Sequence, residues 1–176
     1  MQFGSLRETA LNETRIAMTP KVVKKMTDDG FTIFLEKGYG QHHFEQSQYQ
    51  DAGAQFTSKK KLLQSSTHLL QINPPKIADI KLMQPNTTLI SFTDRYQHID
   101  QLKQITNQHV NLLSMSAVPR ITRAQKMDAL SSQANCVGYT AVILAAQQLN
   151  SIIPMMMTAA GTIRPKKALV IGVGVA

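Results

Sequence analysis

The stretch TPKVVKKMTDDGFTIFLE, residues 19–36, decides the fold, because a helical pattern changes into a strand pattern within one short segment. Thr19 can cap a helix, and Pro20 suits the first helical turn. Gly30 supplies a stop signal, and residues 31–36 are rich in the β-branched and aromatic side chains that strands favour. The segment therefore predicts a helix that leads directly into a strand.

The same alternation extends along the chain in both directions. Short apolar runs bounded by turn residues predict strands at residues 2–6, 31–36, 67–72, 87–92 and 110–115, with a weak one near Gln55. Apolar residues at helical spacing predict helices within residues 74–83 and 98–108. Gln- and Ser-rich clusters at residues 46–50 and 64–66 predict loops or helix ends. Strands that alternate with helices indicate βαβ units and a mainly parallel sheet.

The character of the sequence changes from Asn135 onward. NCVGYTAVILAAQQLN, residues 135–150, predicts a long helix with Cys136 as a small core residue, and residues 151–167 predict a turn-rich linker. We therefore expect three parts. They are an α/β domain over residues 1–132, a connecting helix and linker over 133–166, and the start of a Rossmann domain over 167–176.

The last nine letters, ALVIGVGVA at residues 168–176, form a strand pattern that runs into Gly172-x-Gly174. In a dinucleotide-binding turn the first glycine permits the tight turn and the second lets the backbone approach a pyrophosphate. The third glycine would fall at the first position beyond Ala176. A Gly-x-Gly pair alone is weak evidence, because any tight turn after a strand can carry one. We expect the N-terminal portion of a longer subunit.

Composition excludes several classes of protein. The net charge of +8 would suit nucleic acid or an anionic membrane surface, but no aromatic residues interleave with the densest basic run, Lys59–Lys61. We therefore expect a solvated basic face and no nucleic-acid partner. The single cysteine excludes an internal disulfide, and the scattered histidines predict no metal site. MQFGSLRETA carries charge where a signal peptide needs an apolar core, so a cytoplasmic location is expected.

Two stretches carry a family resemblance: RETALNETRIAMTP, residues 7–20, and VPRITRAQKMDALSSQANCVGY, residues 118–139. Both resemble the nucleotide-binding α subunit of proton-translocating NAD(P) transhydrogenase and, less closely, the alanine dehydrogenases. The resemblance covers essentially the whole chain, and PRITRAQKMDALSS is its most specific segment. With the alternating pattern, it predicts a flavodoxin-like parallel sheet domain followed by the first strand of a truncated Rossmann domain.

In that family the loop matching residues 120–131 lines the nicotinamide pocket. The resemblance therefore implies a set of NAD(H)-binding residues: Arg120, Gln125, Asp128, Ser131, Gly172 and Gly174. The nicotinamide carboxamide offers donor and acceptor atoms that the four side chains can satisfy, and a carboxylate near the ring favours its cationic oxidised form. Without the resemblance, the same loop would predict only a basic helix N-terminus with Asp128 solvated on its surface.

Three positions bear on the distinction between the two relatives. Arg15 matches an arginine that alanine dehydrogenases use with a lysine and a histidine to hold a keto acid. Gln71 stands where the lysine falls, and His98 lies a few residues later than the histidine. A glutamine cannot supply the lysine's charge, so we expect no useful keto-acid site. For Arg15, a structural role in the first loop is as good an interpretation as a substrate contact.

The resemblance implies Si-specific, proton-translocating transfer of hydride from NADH to NADP⁺ held on a partner domain. No catalytic acid or base is expected, because hydride transfer between two nicotinamides needs close approach and exclusion of water. The implied partners are a second copy in a homodimer, a membrane domain and an NADP(H)-binding β subunit, which would place the chain at the inner membrane. The alternatives are a catalytically silent binding or oligomerisation module and an alanine dehydrogenase-like oxidoreductase.

Overall fold

A computed structural model describes residues 1–172 and 174, which divide into two compact units, Met1–Ala117 and Val118–Ala176. The first unit is built on six parallel strands: β1 (Gln2–Ser5), β2 (Thr32–Glu36), β3 (Gln55–Thr57), β4 (His68–Leu70), β5 (Thr88–Ser91) and β6 (Asn111–Ser114). Its helices are α1 (Pro20–Asp28), α2 (Gln46–Asp51), α3 (Lys59–Ser65), α4 (Ile77–Ile80) and α5 (Ile99–Asn107). The predicted α/β fold with a parallel sheet is confirmed.

The strand order is β3-β2-β1-β4-β5-β6, with Phe3 of β1 in register with Ile33 on one side and His68 on the other. This is the six-stranded doubly wound order, not the five-stranded order of flavodoxin. The chain winds outward from β1 in one direction and from β4 in the other. The carboxyl ends of β1 and β4 therefore form the switch point at which such sheets bind ligands.

Two apolar cores lie on opposite faces of this sheet. Helices α1 and α2 cover one face, where Val23 and Tyr49 are fully buried in the same cluster as Ile33 of β2. Helices α3, α4 and α5 cover the other face, around a cluster of buried residues: Leu62, Leu63, Leu69, Ile80, Leu89 and Ile105. Right-handed crossovers require this separation, because the chain winds in opposite directions on the two sides of the switch point.

Local signals explain where the helices begin. The Thr19 side chain accepts a hydrogen bond from the Val22 amide, and Pro20 occupies the first turn of α1, as predicted. The Gln46–Gln50 cluster, by contrast, was expected to be a loop or helix end and instead forms α2. Glu45 and Gln48 form a capping box there, and Tyr49 is buried. The apolar pattern of the sequence does not predict this helix, because Tyr49 is its only buried residue and its glutamines are exposed.

In the second unit, α6 (Ala129–Gln148) starts six residues before the predicted Asn135, because Asp128 caps it. The predicted linker contains an antiparallel hairpin, β7 (Met156–Thr158) with β8 (Gly161–Ile163). The prediction of Cys136 as a core residue is wrong, since it is exposed and α6 has no buried residue. No helix among the described residues is long and apolar enough to cross a membrane.

The strand predicted near the end of the sequence is not formed in the residues of it that the structure describes. Residues 168–172 have no regular secondary structure, and Leu169 and Ile171 are about nine-tenths exposed at 88% and 93%. A strand needs a hydrogen-bonded neighbour, and the described residues provide none for this segment. Val173, Val175 and Ala176 lie outside the described residues. The predicted domain limits at residues 132 and 166 stay a prediction.

Candidate functional site

The four predicted nicotinamide contacts lie in the second unit, in the loop before α6 and its first turn. A short 3₁₀ turn, Thr122–Ala124, follows Arg120, and Gln125 ends it. Ala124 is buried at 4% exposure, which anchors this otherwise exposed turn. Asp128 and Ser131 then form the N-terminus of α6. One short loop and the first turn of α6 therefore carry the four side chains, and their role as nicotinamide contacts stays a prediction.

Asp128 and Ser131 are brought into direct contact. The Ser131 amide donates to Asp128 Oδ1 at 2.9 Å, and the Ser131 hydroxyl donates to Asp128 Oδ2. Asp128 thus serves as the N-cap residue of α6, and its side chain satisfies a backbone donor that would otherwise lack an intrahelical partner. Because both carboxylate oxygens are engaged, the orientation of the carboxylate is fixed relative to the helix end.

The surroundings of Asp128 favour its ionised form. The hydrogen bond from the Ser131 hydroxyl, then that from the Ser131 amide, lowers the pKa of this carboxyl below its ordinary value. The Arg120 guanidinium lowers the same pKa further through its charge. Asp128 is therefore ionised at neutral pH, and the positive charge of Arg120 is close enough to stabilise this form. A carboxylate held in this way can stabilise positive charge that develops on a neighbouring ring.

Arg120 and Gln125 are exposed, so their polar ends are accessible from solvent. Together with Asp128 and Ser131 they supply donors and acceptors of the kinds that a carboxamide requires. The chemistry of this set fits a nicotinamide. Among the described residues no group of three or more His, Cys, Asp or Glu side chains is arranged to hold a metal ion.

The two terminal glycines lie in the same unit. Gly172 has a φ of +97°, a left-handed backbone conformation that glycine adopts without strain, and Gly174 lies in a bend. A Cβ atom at either position would meet nothing within 4 Å. The backbone there is open to a ligand, and a role in binding phosphate stays a prediction.

Arg15 lies in the first unit, within the loop that follows β1, and is held by Glu13. The guanidinium donates to both Glu13 carboxylate oxygens, at 2.8 Å from Nε and 2.6 Å from the terminal nitrogen. The Arg15 backbone amide also donates to Glu13 at 3.0 Å. These bonds fold the loop on itself, which supports the structural interpretation of Arg15.

A network links this loop to the switch point of the sheet. Glu8 accepts from the amide of Ile72 at 2.7 Å and from the side chain of Asn73 at 3.1 Å. The same Asn73 nitrogen also donates to Glu13 at 3.1 Å, so one amide group joins two carboxylates. Burial raises the pKa of Glu8 above its ordinary value, and the hydrogen bonds from Ile72 and Asn73 oppose this effect. No local sequence pattern predicts this network, because Glu8 and Asn73 are distant along the chain.

Two cavities flank the network. One, of about 410 Å³, lies between the loop after β1 and the loop after β2 and is lined in part by Glu8, Arg15 and His42. The other, of about 170 Å³, is lined by Glu8, Lys59 and Gln71 among other residues. Gln71 is 8% exposed, and its side-chain oxygen is buried without a hydrogen-bond partner among the described residues. His98 is not in either lining.

Glu13→Gln should lower the free energy of unfolding at neutral pH by about 1–2 kcal/mol, because a charge-assisted bidentate pair is lost. Arg15 is 47% exposed, and solvent screening keeps the effect below the full value of the pKa shift. The pair lowers the pKa of Glu13 to about 2 from 4.5. Its contribution is therefore complete above pH 4.5 and disappears as the pH falls toward 2.

Chemical unfolding of both proteins at neutral and acidic pH checks this expectation, with a difference in stability that shrinks in acid. Asp28→Asn is the matched control, because Lys24 and Asp28 form an exposed pair one helical turn apart. That change should cost less than about 0.5 kcal/mol. An equal effect of both substitutions would show that the Glu13–Arg15 pair contributes no more to the free energy of unfolding than an exposed ion pair does.

The comparison with known proteins decides the family. The model of the alanine dehydrogenase/PNT N-terminal domain matches residues 4–137. The chain belongs to this family. The C-terminal domain model of the same alanine dehydrogenase/PNT family matches residues 141–176.

Proteins named as transhydrogenases are similar to this chain over most or all of its length. NAD(P) transhydrogenase subunit alpha of Haemophilus influenzae is 41% identical over the whole of this chain, which covers 34% of that protein. The crystal structure of transhydrogenase from Sinorhizobium meliloti superposes with a TM-score of 0.81 at 33% identity, over 92% of this chain and 49% of the other. The chain thus spans about a third to a half of the length of these relatives.

Alanine dehydrogenases within the family are more distant. The enzyme of Staphylococcus haemolyticus is 28% identical over 63% of this chain, which covers 29% of that protein. The predicted resemblance to the transhydrogenase α subunit, with alanine dehydrogenase as the weaker relative, is confirmed.

Proposed function

We propose that this chain is part of the NAD(H)-binding α subunit of a proton-translocating, Si-specific NAD(P) transhydrogenase. The observation that carries the proposal is the similarity to transhydrogenase α subunits over the full chain. Bound NAD(H) would supply the hydride, and NADP(H) would be held by a β subunit associated with a membrane domain. The chain would therefore act in the cytoplasm at the surface of the inner membrane.

In this proposal the second unit orients the nicotinamide and stabilises its charge. Gln125 and Ser131 would contact the carboxamide, and Asp128 would stabilise the cationic ring. Arg120 would hold the loop and assist the Asp128 carboxylate. None of these side chains needs to move a proton, because the transferred hydride carries both bonding electrons. Their task is close approach and orientation, which can lower a barrier without acid or base catalysis.

We also propose that the α subunit forms a homodimer through the second unit. Helix α6 exposes several large apolar side chains: Val137, Ile143 and Leu144 are each about half or more exposed. A concentration of exposed apolar side chains is typical of a surface that another protein covers. Sedimentation of the chain over a range of concentrations tests this, and a strictly monomeric protein would contradict it.

The decisive experiment compares two reactions catalysed by the assembled enzyme that contains this chain. With NADH and an NADP⁺ analogue, we expect steady reduction of the analogue. With NADH, pyruvate and ammonium, we expect no alanine, because Gln71 stands where the dehydrogenases have a lysine. Alanine formation without transhydrogenation would show that the protein is an alanine dehydrogenase-like oxidoreductase instead. Absence of both reactions in a folded assembly would favour a silent binding module.

The chain of 176 residues by itself should bind NADH very weakly. A dinucleotide site of this kind also needs a helix N-terminus to hold the pyrophosphate and an acidic residue about twenty positions later for the ribose, and of these elements residues 1–176 include only the Gly172-x-Gly174 pair. Titration followed by NADH fluorescence or calorimetry measures the affinity, and we expect a dissociation constant well above the micromolar range. Micromolar binding would show that the loop before α6 is sufficient.

A further inference from the structure

The two faces of the first unit differ in charge. Helices α1 and α2 with their caps carry three lysines and four carboxylates, Asp28, Asp29, Glu45 and Asp51, for a formal charge of −1. Helices α3, α4 and α5 with their caps carry two carboxylates and six lysines: Lys59, Lys60, Lys61, Lys76, Lys81 and Lys103. We call the outer surface of these three helices the lysine face, and its formal charge is +4.

Most of this charge is not neutralised within the chain. Lys59 pairs with Asp79 at 3.3 Å, and Lys103 lies 3.8 Å from Asp100 in an exposed pair. The other four lysines of the face take part in no ion pair among the described residues. A concentration of unpaired positive charge attracts anionic surfaces over roughly a Debye length, about 8 Å at physiological salt.

The direction of these side chains follows from the core. Leu62 and Leu63 are fully buried against the sheet, which leaves Lys60 and Lys61 on the opposite, exposed side of α3. In the same way Ile80 is buried, and Lys81 beside it is exposed. The positive charges therefore point away from the sheet on neighbouring helices.

Three apolar side chains on the same helices or directly after them are also exposed. Ile77 is 39% exposed next to Lys76, and Leu82 is 37% exposed next to Lys81. Ile99, at the start of α5, is 52% exposed. If the surface lies on a membrane, such aliphatic side chains can add apolar contacts at the boundary between lipid headgroups and acyl chains.

We propose that the lysine face binds the headgroups of anionic phospholipids. All six cations are lysines, which act as compact point charges without the fixed, planar fork of arginine. Such charges suit a fluid surface of mobile headgroups better than the fixed pattern of carboxylates on a protein partner. The attraction is worth roughly fivefold in affinity for each lysine near the membrane.

Vesicle sedimentation with the full chain tests the proposal. The protein should bind vesicles that contain phosphatidylglycerol and should not bind vesicles of phosphatidylcholine alone. Binding should weaken between low and physiological salt, because the attraction is electrostatic. Lys60→Glu with Lys61→Glu should reduce binding by at least about 25-fold, since two attractive charges become repulsive.

The matched control makes the same charge change on the opposite face, with Lys21→Glu and Lys25→Glu on α1, and should retain nearly all binding. Circular dichroism checks that both double variants fold. If the variant with Lys60→Glu and Lys61→Glu does not fold, the variant with Lys60→Gln and Lys61→Gln replaces it. Equal losses from the two faces would overturn the proposal, because they would indicate a response to net charge alone. Equal binding to neutral vesicles, or tighter binding to polyglutamate than to anionic vesicles, would also overturn it.

Discussion

Asp128→Asn should slow hydride transfer in the assembled enzyme about ten- to a hundredfold, while NADH binding weakens less. The reason is that this exchange removes charge but little else. Asparagine has the size of aspartate and is an equally good N-cap residue, so the start of α6 should persist. What disappears is the fixed negative charge that the contacts with Ser131 and Arg120 favour. The loss should therefore appear mainly in the transition state, where the nicotinamide becomes cationic.

Stopped-flow measurement of hydride transfer, with separate titration of NADH, distinguishes these effects. Arg120→Ala should reduce both binding and rate, because it frees the loop and also removes a donor. Lys126→Ala is the matched control, since this exposed residue adjoins Gln125 and has no assigned contact. This substitution should leave the rate of hydride transfer and the affinity for NADH nearly unchanged. An Asp128→Asn enzyme as fast as the parent would remove this residue from the proposed site.

Gly40→Ala should destabilise the first unit by about 2–5 kcal/mol, through backbone strain and overpacking together. Gly40 has a φ of +69°, which is unfavourable for any residue with a Cβ atom. The added Cβ would also lie 2.5 Å from the hydroxyl oxygen of Tyr49. That ring cannot withdraw easily, because Tyr49 is fully buried and its hydroxyl donates to the Met18 carbonyl at 3.2 Å.

Gly30→Ala separates the two contributions. Gly30 has a similar φ of +85°, but a Cβ atom there would meet nothing within 4 Å. Urea unfolding should therefore show a loss of only about 1 kcal/mol for this control, from backbone strain alone. Equal losses at the two positions would mean that the Tyr49 hydroxyl moves aside without cost.

The sequence was most informative where structure is set by neighbouring residues. The capped start of α1 and the apolar strands of the sheet follow from local spacing, whereas the contact between Asp128 and Ser131 was not predicted. The short helix α2 was missed because only Tyr49 of its residues is buried. A cap at Asp128 could have been predicted, because aspartate is a preferred N-cap residue immediately before an apolar helix.

Other features depend on contacts that no local pattern contains. Glu8 and Asn73 meet because β1 and β4 are neighbours at the switch point, although the residues are 65 positions apart. The lysine face likewise exists only because α3, α4 and α5 cover the same side of the sheet. In the sequence these lysines are divided among residues 59–61, 76, 81 and 103. Chain topology converts them into one surface.

The exposed helix α6 has a consequence for calorimetry. The heat-capacity increase on unfolding arises from apolar surface that is newly exposed to water. Because α6 has no buried residue, melting it in the isolated chain would expose almost no additional apolar surface. For a single copy of the chain, the endotherm and the denaturant dependence of stability should therefore report mainly on residues 1–117, whereas the homodimer proposed above would add the apolar surface that α6 buries between the two copies. A heat-capacity increase as large as that expected for unfolding all 176 residues would mean that the apolar side chains of α6 are buried in solution.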